Sequence, residues 1–508
     1  GSLTATGTAT ITLTGTGGAR QSTDSSGVFL NGVAVVTSSG AFTATGTASS
    51  YWGRGVRIVD TTVTTSGGAV TLKGTAYGSD DDSHGVELRD TTTATATITS
   101  AGGTITLDGE TNANNDDQAF GVLINSGTIN AGWGLIRLLG NRVNTGDDYK
   151  TSVEQTRGVL STTGGLEIVS PSGSVNLSLD NNVASLAALF SSSSASTLLF
   201  DNGGRTGTTT IGTVNGREGV ITAGTGDLYF SDLDALSIQK PIVNDEGDIY
   251  FRVDALTVNA TVGNPDGTAV ADLQGAVSIS GRSNQSDLSD TPISLGNVRL
   301  ATDLHLTDAF AAQFNTREFR PRTAGVVTIT SNVTLSKLRD RLSILGEQGI
   351  ETTGTYALTL PNSADLGRII LDARGSVRGE EDWAGTVAST SHSIITRGAA
   401  HLYIASGEDI NVQAQSTTGG PIDLRTLALY SGRSSATTPQ VYEVTANNLS
   451  TFDLDLTAGM YNLDLVSSTP LDFSLATGAD LEVTSAVTGP VGAEGELSIY
   501  FEYPETNT

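Results

Sequence analysis

The chain has 508 residues, more than a single compact hydrophobic core usually accommodates, and it contains 61 Gly, 11 Pro and no Cys. Without Cys, disulfides, thiolate metal sites and thiol nucleophiles are excluded. The 54 acidic and 27 basic residues leave a net charge of −27, which argues against nucleic acid as a main partner, and no apolar run is long enough to span a membrane as a helix.

The first 160 residues contain an internal repeat that begins with a short strand ending in Gly. This strand recurs as Ile11–Gly15, Phe42–Gly46, Val70–Gly74, Ile105–Gly109 and Ile136–Gly140. A second strand, which opens with Gly-Val, follows each copy. Its glycines are Gly27, Gly55, Gly85, Gly121 and Gly158. Apolar and small polar residues alternate within both strands, which predicts one buried side and one solvent-facing side.

A third short strand completes each unit, as in Thr62–Thr65, and a glycine pair such as Gly67-Gly68 or Gly102-Gly103 closes the turn after it. A single unit of three short strands cannot bury its apolar side, so neighbouring units must stack on one another. The repeat therefore predicts an all-β fold in which parallel strands form a β-solenoid.

Coil length divides the predicted solenoid. Residues 1–200 form coils of about 28–37 residues, and residues 201–433 form shorter, less regular coils, in which Gly226–Phe230 recurs 21 residues later as Gly247–Phe251. Helical signals are few, and Leu335–Leu345 is predicted to be a short helix or a capping loop.

Residues 434–508 form a separate β-rich segment that follows a stretch rich in Gly, Ser, Thr and Pro. Strict alternation returns there, as in Phe452–Leu456 and Leu471–Leu475. The segment is either the last coils of the solenoid or a small β-sandwich that caps it. We favour the cap, because a bare solenoid end exposes unpaired strand edges.

The units "(Ile/Val)-Thr-Leu-x-Gly … Gly-Val-x-Leu" and "Gly-Asp-Ile-x-x … Ala-Leu-x-Val" resemble the repeats of the filamentous haemagglutinin and autotransporter-passenger group of bacterial surface proteins. The resemblance covers roughly residues 1–430. It implies a right-handed parallel β-helix, secretion to the cell surface or the extracellular space, and a role in adhesion or filament building.

The expected function is structural: a subunit of an extracellular fibre or surface layer that self-associates into a polymer by solenoid stacking. The alternative is an adhesin stalk that binds glycans or a partner cell through its side loops. An enzyme is not expected. A polysaccharide lyase or hydrolase needs two nearby carboxylates, but any two acids on neighbouring coils would meet that distance. The four His residues show no spacing typical of a metal site or a triad.

Acidic residues cluster between the first strand and the Gly-Val strand of successive units. Stacked coils would bring these loops about 4.8 Å apart, where Ca²⁺ would relieve carboxylate repulsion. The predicted ligands are Asp80, Asp81, Asp82, Asp116, Asp117, Asp147 and Asp148. The alternative is a solvated acidic ledge with monovalent counterions. No cofactor is required in either case, and His84 either joins the metal site or is an ordinary loop residue.

Two tryptophans, Trp52 and Trp133, directly precede glycines where a strand and a turn meet. Exposed indole rings there could stack on sugars. We expect them instead to cover the wall of the solenoid, because a large aromatic side chain buries much apolar surface.

Overall fold

The computed structural model describes residues 1–18, 24–78, 82–91, 95–112, 118–143, 151–192, 195–244 and 247–263, and beyond them the strands from Ala276 onward. Within these residues every regular element is a β-strand or an isolated turn, and none is a helix. The chain divides into two compact units, residues 1–265 and 266–508.

The strands of the first unit are short, and most have two to eight residues. They are β1 (Ser2–Ala5), β2 (Ile11–Thr16), β3 (Asp24–Asn31), β4 (Ala34–Thr37), β5 (Phe42–Ala48), β6 (Trp52–Val59), β7 (Thr62–Thr65), β8 (Val70–Ala76), β9 (His84–Arg89), β10 (Thr97–Ser100), β11 (Ile105–Thr111), β12 (Val122–Gly132), β13 (Ile136–Arg142), β14 (Thr151–Thr162), β15 (Leu166–Ser172), β16 (Ser174–Leu177), β17 (Asn182–Val183), β18 (Ser185–Phe190), β19 (Leu198–Asp201), β20 (Thr208–Ile211), β21 (Thr213–Val214), β22 (Arg217–Glu218), β23 (Val220–Thr222), β24 (Leu228–Ile238), β25 (Ile242–Asn244), β26 (Ile249–Val258) and β27 (Val262–Gly263).

The second unit is also built of short strands. They are β28 (Ala276–Ser280), β29 (Leu304–Leu306), β30 (Phe314–Asn315), β31 (Glu318–Thr323), β32 (Val326–Ile329), β33 (Val333–Thr334), β34 (Arg341–Gly346), β35 (Gly349–Thr352), β36 (Leu358–Asn362), β37 (Arg368–Ala373), β38 (Thr386–Ala388), β39 (Ile394–Arg397), β40 (Ala400–Ser406), β41 (Ile410–Asn411), β42 (Gln413–Gln415), β43 (Ile422–Ser431), β44 (Gln440–Val444), β45 (Ala446–Asn447), β46 (Thr451–Leu456), β47 (Met460–Leu463), β48 (Leu471–Ser474), β49 (Asp480–Val483) and β50 (Leu497–Tyr500).

The first strand of each predicted unit pairs in parallel with its copy in the next coil, in the order β2, β5, β8, β11 and β13. The closing glycines share one register position, so that Gly46 pairs with Gly15 on one side and with Gly74 on the other. The register of these first strands is unchanged although the coils differ in length. The predicted fold class, a parallel β-helix, is confirmed.

Stacked columns of apolar side chains form the core of the first unit. One column runs through Phe42, Val70, Ile105 and Ile136, which are register partners and are all fully buried. Burying such a side chain contributes about 1.5–3 kcal/mol relative to leaving it exposed, so stacking of coils supplies the stability that one coil lacks.

The repeated glycines allow two walls of the solenoid to touch backbone to backbone. A Cβ atom on Gly46 would overlap the carbonyl oxygen of Gly55, and one on Gly74 would overlap that of Gly85. The glycine pairs in the turns serve a different purpose, because Gly67 has a φ of 99°, which side-chain-bearing residues rarely adopt.

The fifth copy of the Gly-Val strand differs from the prediction. Val122 pairs with Val153 and not with Val159, so Ser152 takes the place of the expected glycine. Gly158 instead lies within β14 near a register shift between β12 and β14, has a φ of 85°, and a Cβ atom on it would overlap the carbonyl oxygen of Ser126. The motif therefore identified a glycine at a strand irregularity, because the sequence alone does not distinguish such a site from a close approach of two walls.

An antiparallel hairpin interrupts the solenoid pattern. Strands β21 and β22 are joined by Asn215-Gly216, whose φ values of 52° and 79° suit a tight hairpin turn. Val214 on this hairpin is buried and faces Gly165 on the wall. The hairpin thus covers part of a wall that elsewhere faces solvent.

The 21-residue unit in the middle of the chain is confirmed. Strands β24 and β26 pair in parallel, and Tyr229 and Phe230 lie opposite Tyr250 and Phe251. The two tyrosine rings stack with centroids 4.4 Å apart, and the two phenylalanine rings stack at 5.4 Å.

The second unit contains three parallel ladders, as expected of coils with three strands each. They are β31-β34-β37-β40-β43-β46, β29-β32-β35-β38-β41 and β33-β36-β39-β42-β44-β47-β49. The short helix or capping loop predicted over Leu335–Leu345 is wrong for its described part, because β34 occupies Arg341–Gly346, where Leu342 and Ile344 are buried. The predicted boundaries after residues 200 and 433 stay predictions.

Candidate functional site

Exposed aromatic side chains gather at one corner of two consecutive coils, where the first strand turns into the Gly-Val strand. We call Tyr51, Trp52, Tyr77 and Asp82 the aromatic corner. The turns that carry them are stacked, because β5 pairs with β8 before the turn and β6 pairs with β9 after it. All four side chains are exposed to solvent.

Hydrogen bonds between the two turns fix the backbone of this corner. The Tyr77 N–H donates to the carbonyl oxygen of Ala48 at 2.8 Å, and the Ser83 hydroxyl donates to that of Tyr51 at 3.0 Å. The rings of Tyr51 and Trp52 are tilted by 59° with centroids 6.0 Å apart. The aromatic rings therefore project from two turns that are hydrogen-bonded to each other.

A charged cluster centred on a buried carboxylate lies next to the corner. Oε2 of Glu87 is 2.7 Å from Nε of Arg54 and 2.9 Å from Nε of Arg57, and Oε1 is 3.6 Å from Nη1 of Arg89. Glu87 and Arg54 are both buried. Close contact between opposite charges is needed there to offset the cost of removing them from water. The cluster joins two coils, because Arg54 and Arg57 lie on β6 and Glu87 lies on β9.

Asp82 is tied to this cluster although its side chain is exposed. One carboxylate oxygen is 3.4 Å from Nη2 of Arg54, and the other is 3.8 Å from Nε2 of His84. Arg54 therefore orients the carboxylate, and 53% of the Asp82 side chain remains exposed. Such a carboxylate can accept hydrogen bonds from a ligand.

His84 is buried and neutral in this environment. Its ring stacks on Phe120 with centroids 5.5 Å apart, and its Nδ1 accepts a hydrogen bond from the Phe120 N–H at 3.3 Å. Burial, together with Arg54, Arg57 and Arg89, holds the pKa of His84 well below its usual value. It is the first residue of a strand, so its interpretation as a loop residue is wrong.

The predicted calcium ligands are mostly outside the described residues; only Asp82 is described, and it pairs with Arg54 and His84. In the described ranges no three His, Asp or Glu side chains lie close enough together to hold a metal ion. The calcium site stays a prediction. The six ligands outside the described residues are Asp80, Asp81, Asp116, Asp117, Asp147 and Asp148.

A second buried carboxylate attaches the hairpin to the wall. Glu167 on β15 accepts hydrogen bonds from Nε of Arg137 at 2.6 Å, Nδ2 of Asn215 at 2.8 Å and Nε of Arg217 at 3.2 Å. Burial acts to raise the pKa of Glu167, but these three donors outweigh it and hold the pKa below its ordinary value.

Trp133 has a different environment from Trp52. Its ring covers Gly102, where a Cβ atom would overlap the indole. One face of the ring therefore shields the wall, as the covering role requires, and 71% of the residue remains exposed. Trp52, by contrast, belongs to a group of three exposed aromatic residues.

Comparison of the chain with protein-family models, with curated proteins and with solved structures finds no match. Across the residues that the structure describes, no helix has the length and apolar character needed to cross a bilayer. The resemblance to filamentous haemagglutinin and autotransporter passengers stays a prediction.

Proposed function

We propose that the protein is an extracellular structural protein, a subunit of a surface fibre or layer whose copies join by continuing the β-solenoid. The observation that supports this function is the face formed by β1, β2 and β3. In the part of the chain that the structure describes, these strands pair along one edge only, with β4, β5 and β6. Their other edges can pair with a further parallel strand.

The apolar side chains that β1 and β2 contribute to this face are only partly buried. Leu3, Ile11 and Leu13 are half-buried, whereas Val35 and Phe42, the register partners of Leu3 and Ile11, are fully buried. Covering them with another coil would contribute roughly 1 kcal/mol per side chain, in addition to the new backbone hydrogen bonds. Both the apolar surface and the strand edges of this face thus favour a second coil.

The location outside the cell rests on the resemblance of the repeats to bacterial surface proteins. The proposal includes secretion, exposure at the cell surface and polymer formation, and it assigns no catalytic activity. Adhesion through the side loops is the second candidate function, and the aromatic corner is the observation that favours it.

A charge placed on the open face tests the proposal. Leu13→Lys puts an ammonium among the half-buried side chains of β2, and Thr12→Lys puts the same charge on the exposed neighbour of the same strand. We expect wild type and Thr12→Lys to form polymers in sedimentation velocity and negative-stain images, and Leu13→Lys to remain monomeric.

The proposal is wrong if wild type stays monomeric at every concentration, or if Leu13→Lys polymerises as wild type does. Circular dichroism of both variants shows whether the solenoid itself is retained. Because Leu13 lies in the first described coil, where one side is open, its replacement leaves the columns of the following coils in place.

A further inference from the structure

The aromatic corner lies on the side of the coils, and its three aromatic side chains are exposed. Trp52 is 40% exposed and Tyr77 is 53% exposed. Eight large apolar residues are exposed in the described part of the chain, and three of them, Tyr51, Trp52 and Tyr77, belong to this corner. Exposed aromatic side chains that cluster in this way are typical of a binding surface, because folding alone does not require them to be exposed together.

We propose that the aromatic corner binds a neutral saccharide, with a pyranose ring stacked on Trp52 and a sugar hydroxyl donating to the Asp82 carboxylate. The face of an aromatic ring carries negative potential, which attracts the C–H groups on the flat side of a pyranose. The hydroxyls around the sugar ring need hydrogen-bond acceptors beside that face.

Asp82 provides such an acceptor. Arg54 and His84 are register partners on neighbouring coils. Trp52 lies two residues before Arg54, and Asp82 lies two residues before His84. This register places Asp82 beside Trp52 on the next coil. The contacts of Asp82 with Arg54 and His84 orient the carboxylate before any ligand arrives, which lowers the entropic cost of binding.

The spacing of the corner suits an oligosaccharide. Neighbouring coils are about 4.8 Å apart, which is close to the length of one pyranose unit in a chain. Trp52 and Tyr77 lie on consecutive coils but at different register positions, because Ala76 pairs with Ala48, so a sugar chain that meets both rings runs obliquely across the stacked turns.

The charges at the corner favour a neutral sugar over an acidic one. Arg54, the cationic group nearest to Trp52 in sequence, is already paired with Glu87, and Lys73, the one nearest to Tyr77, is paired with Asp108. The whole chain carries a net charge of −27, which repels polyanionic glycans.

Binding is measured by saturation-transfer NMR and titration calorimetry with cellotetraose, maltotetraose, mannotetraose and chitotetraose, with a hyaluronan tetrasaccharide as the acidic probe. We expect at least one neutral probe to bind. Trp52→Ala should weaken that binding by about tenfold, equivalent to about 1.4 kcal/mol. Trp52→Phe should retain most of it, and Tyr77→Ala should weaken it less than Trp52→Ala does.

Trp133→Ala is the matched control, because it removes an exposed indole that lies against Gly102 and outside the corner. The inference fails if none of the neutral probes binds, if Trp133→Ala weakens binding as much as Trp52→Ala does, or if the acidic probe binds more tightly than each neutral one. Loss of polymers in Trp52→Ala, without sugar binding by wild type, would make the corner a subunit contact and would also overturn it.

Sugar binding and coil stacking are independent properties. Leu13→Lys alters the open face of the first coil and leaves the corner between β5, β6, β8 and β9 unchanged. We therefore expect this variant to bind sugar as wild type does, so that failure of one proposal is distinguishable from failure of the other.

Discussion

At the scale of single residues, the glycines show why the repeat is so regular. Their register positions coincide from coil to coil because each one removes a side chain where two walls meet. The Gly74–Gly85 contact shows the constraint: a Cβ atom on Gly74 would overlap a backbone carbonyl, which cannot rotate away as a side chain can. Overpacking against a rigid backbone is costly.

We predict that Gly74→Ala lowers the stability of the solenoid by about 3 kcal/mol, because one wall must move away from the other. Gly18→Ala is the control, since a Cβ atom there meets no other atom within 4 Å. In urea unfolding, the midpoint should fall for Gly74→Ala. The free energy of unfolding should change by less than about 0.5 kcal/mol for Gly18→Ala. Equal midpoints for both variants would contradict the backbone-contact explanation.

Single residues were also the hardest part of the candidate site to predict. The sequence pointed to Trp52 as an exposed indole, but not to Tyr51 or Tyr77, and it gave no sign of the cluster around Glu87. Arg54 and Glu87 are far apart in the chain and meet only because β6 and β9 are paired in a particular register. A pattern within one coil contains no information about contacts between coils.

At the scale of the element, the hairpin β21–β22 depends on one carboxylate. Glu167 accepts hydrogen bonds from Asn215 and Arg217 of the hairpin and from Arg137 of the preceding coil. Charge-assisted hydrogen bonds of this kind are among the strongest that side chains form. The hairpin should therefore detach from the wall when this carboxylate loses its charge.

We predict that Glu167→Gln lowers stability by about 2 kcal/mol at pH 7, because it leaves the partly buried Arg137 and Arg217 without a counter-charge. The folded-state pKa of Glu167 is below the ordinary value of 4.5, so its stabilising effect is present above pH 4.5 and is lost as the pH falls through the folded-state pKa. The difference in stability between wild type and Glu167→Gln should therefore shrink as the pH falls.

Glu218→Gln is the control for this prediction. Glu218 lies on the same hairpin and pairs with Lys240 at 2.8 Å, but both side chains are exposed, and exposed ion pairs contribute little. Thermal unfolding of both variants between pH 3 and pH 8 measures the effect. A loss that is the same at every pH would argue against a role for the charge of Glu167.

The elements themselves were predictable to different degrees. The strands with a closing glycine were predictable from the repeat, because five copies show the same alternation of apolar and polar residues before the glycine. The hairpin was not predicted although Asn215-Gly216 is a strong hairpin signal, because its strands of two residues each are too short to show an alternating pattern. Leu335–Leu345 was misjudged because a short run of leucines fits both a helix and a buried strand.

At the scale of the whole molecule, charge and assembly are opposed. A net charge of −27 repels separate copies, whereas the proposed polymer would bring the strands of the first described coil against another copy. Salt shortens the range of repulsion from about 10 Å at 0.1 M to about 3 Å at 1 M. The balance between monomer and polymer should therefore depend on ionic strength.

We predict that NaCl promotes polymer formation and that CaCl₂ does so more strongly at the same ionic strength, because Ca²⁺ would bridge the acidic loops. Replacement of Asp116 and Asp117 by Asn should remove the excess effect of Ca²⁺ and leave the effect of NaCl. Light scattering at matched ionic strength measures both. Equal curves for Ca²⁺ and Na⁺ in the wild-type protein would favour a solvated ledge with monovalent counterions.

The constant register of the first strands has a consequence for how such a chain can change in length. Residues 42–69 separate two copies of the same ladder position, since Phe42 and Val70 are register partners. Excision of this stretch would bring Val70 opposite Ile11 and Gly74 opposite Gly15, so that every rung would still align. The protein could thus gain or lose a whole turn of its spiral in one genetic event, while all remaining neighbours keep their partners.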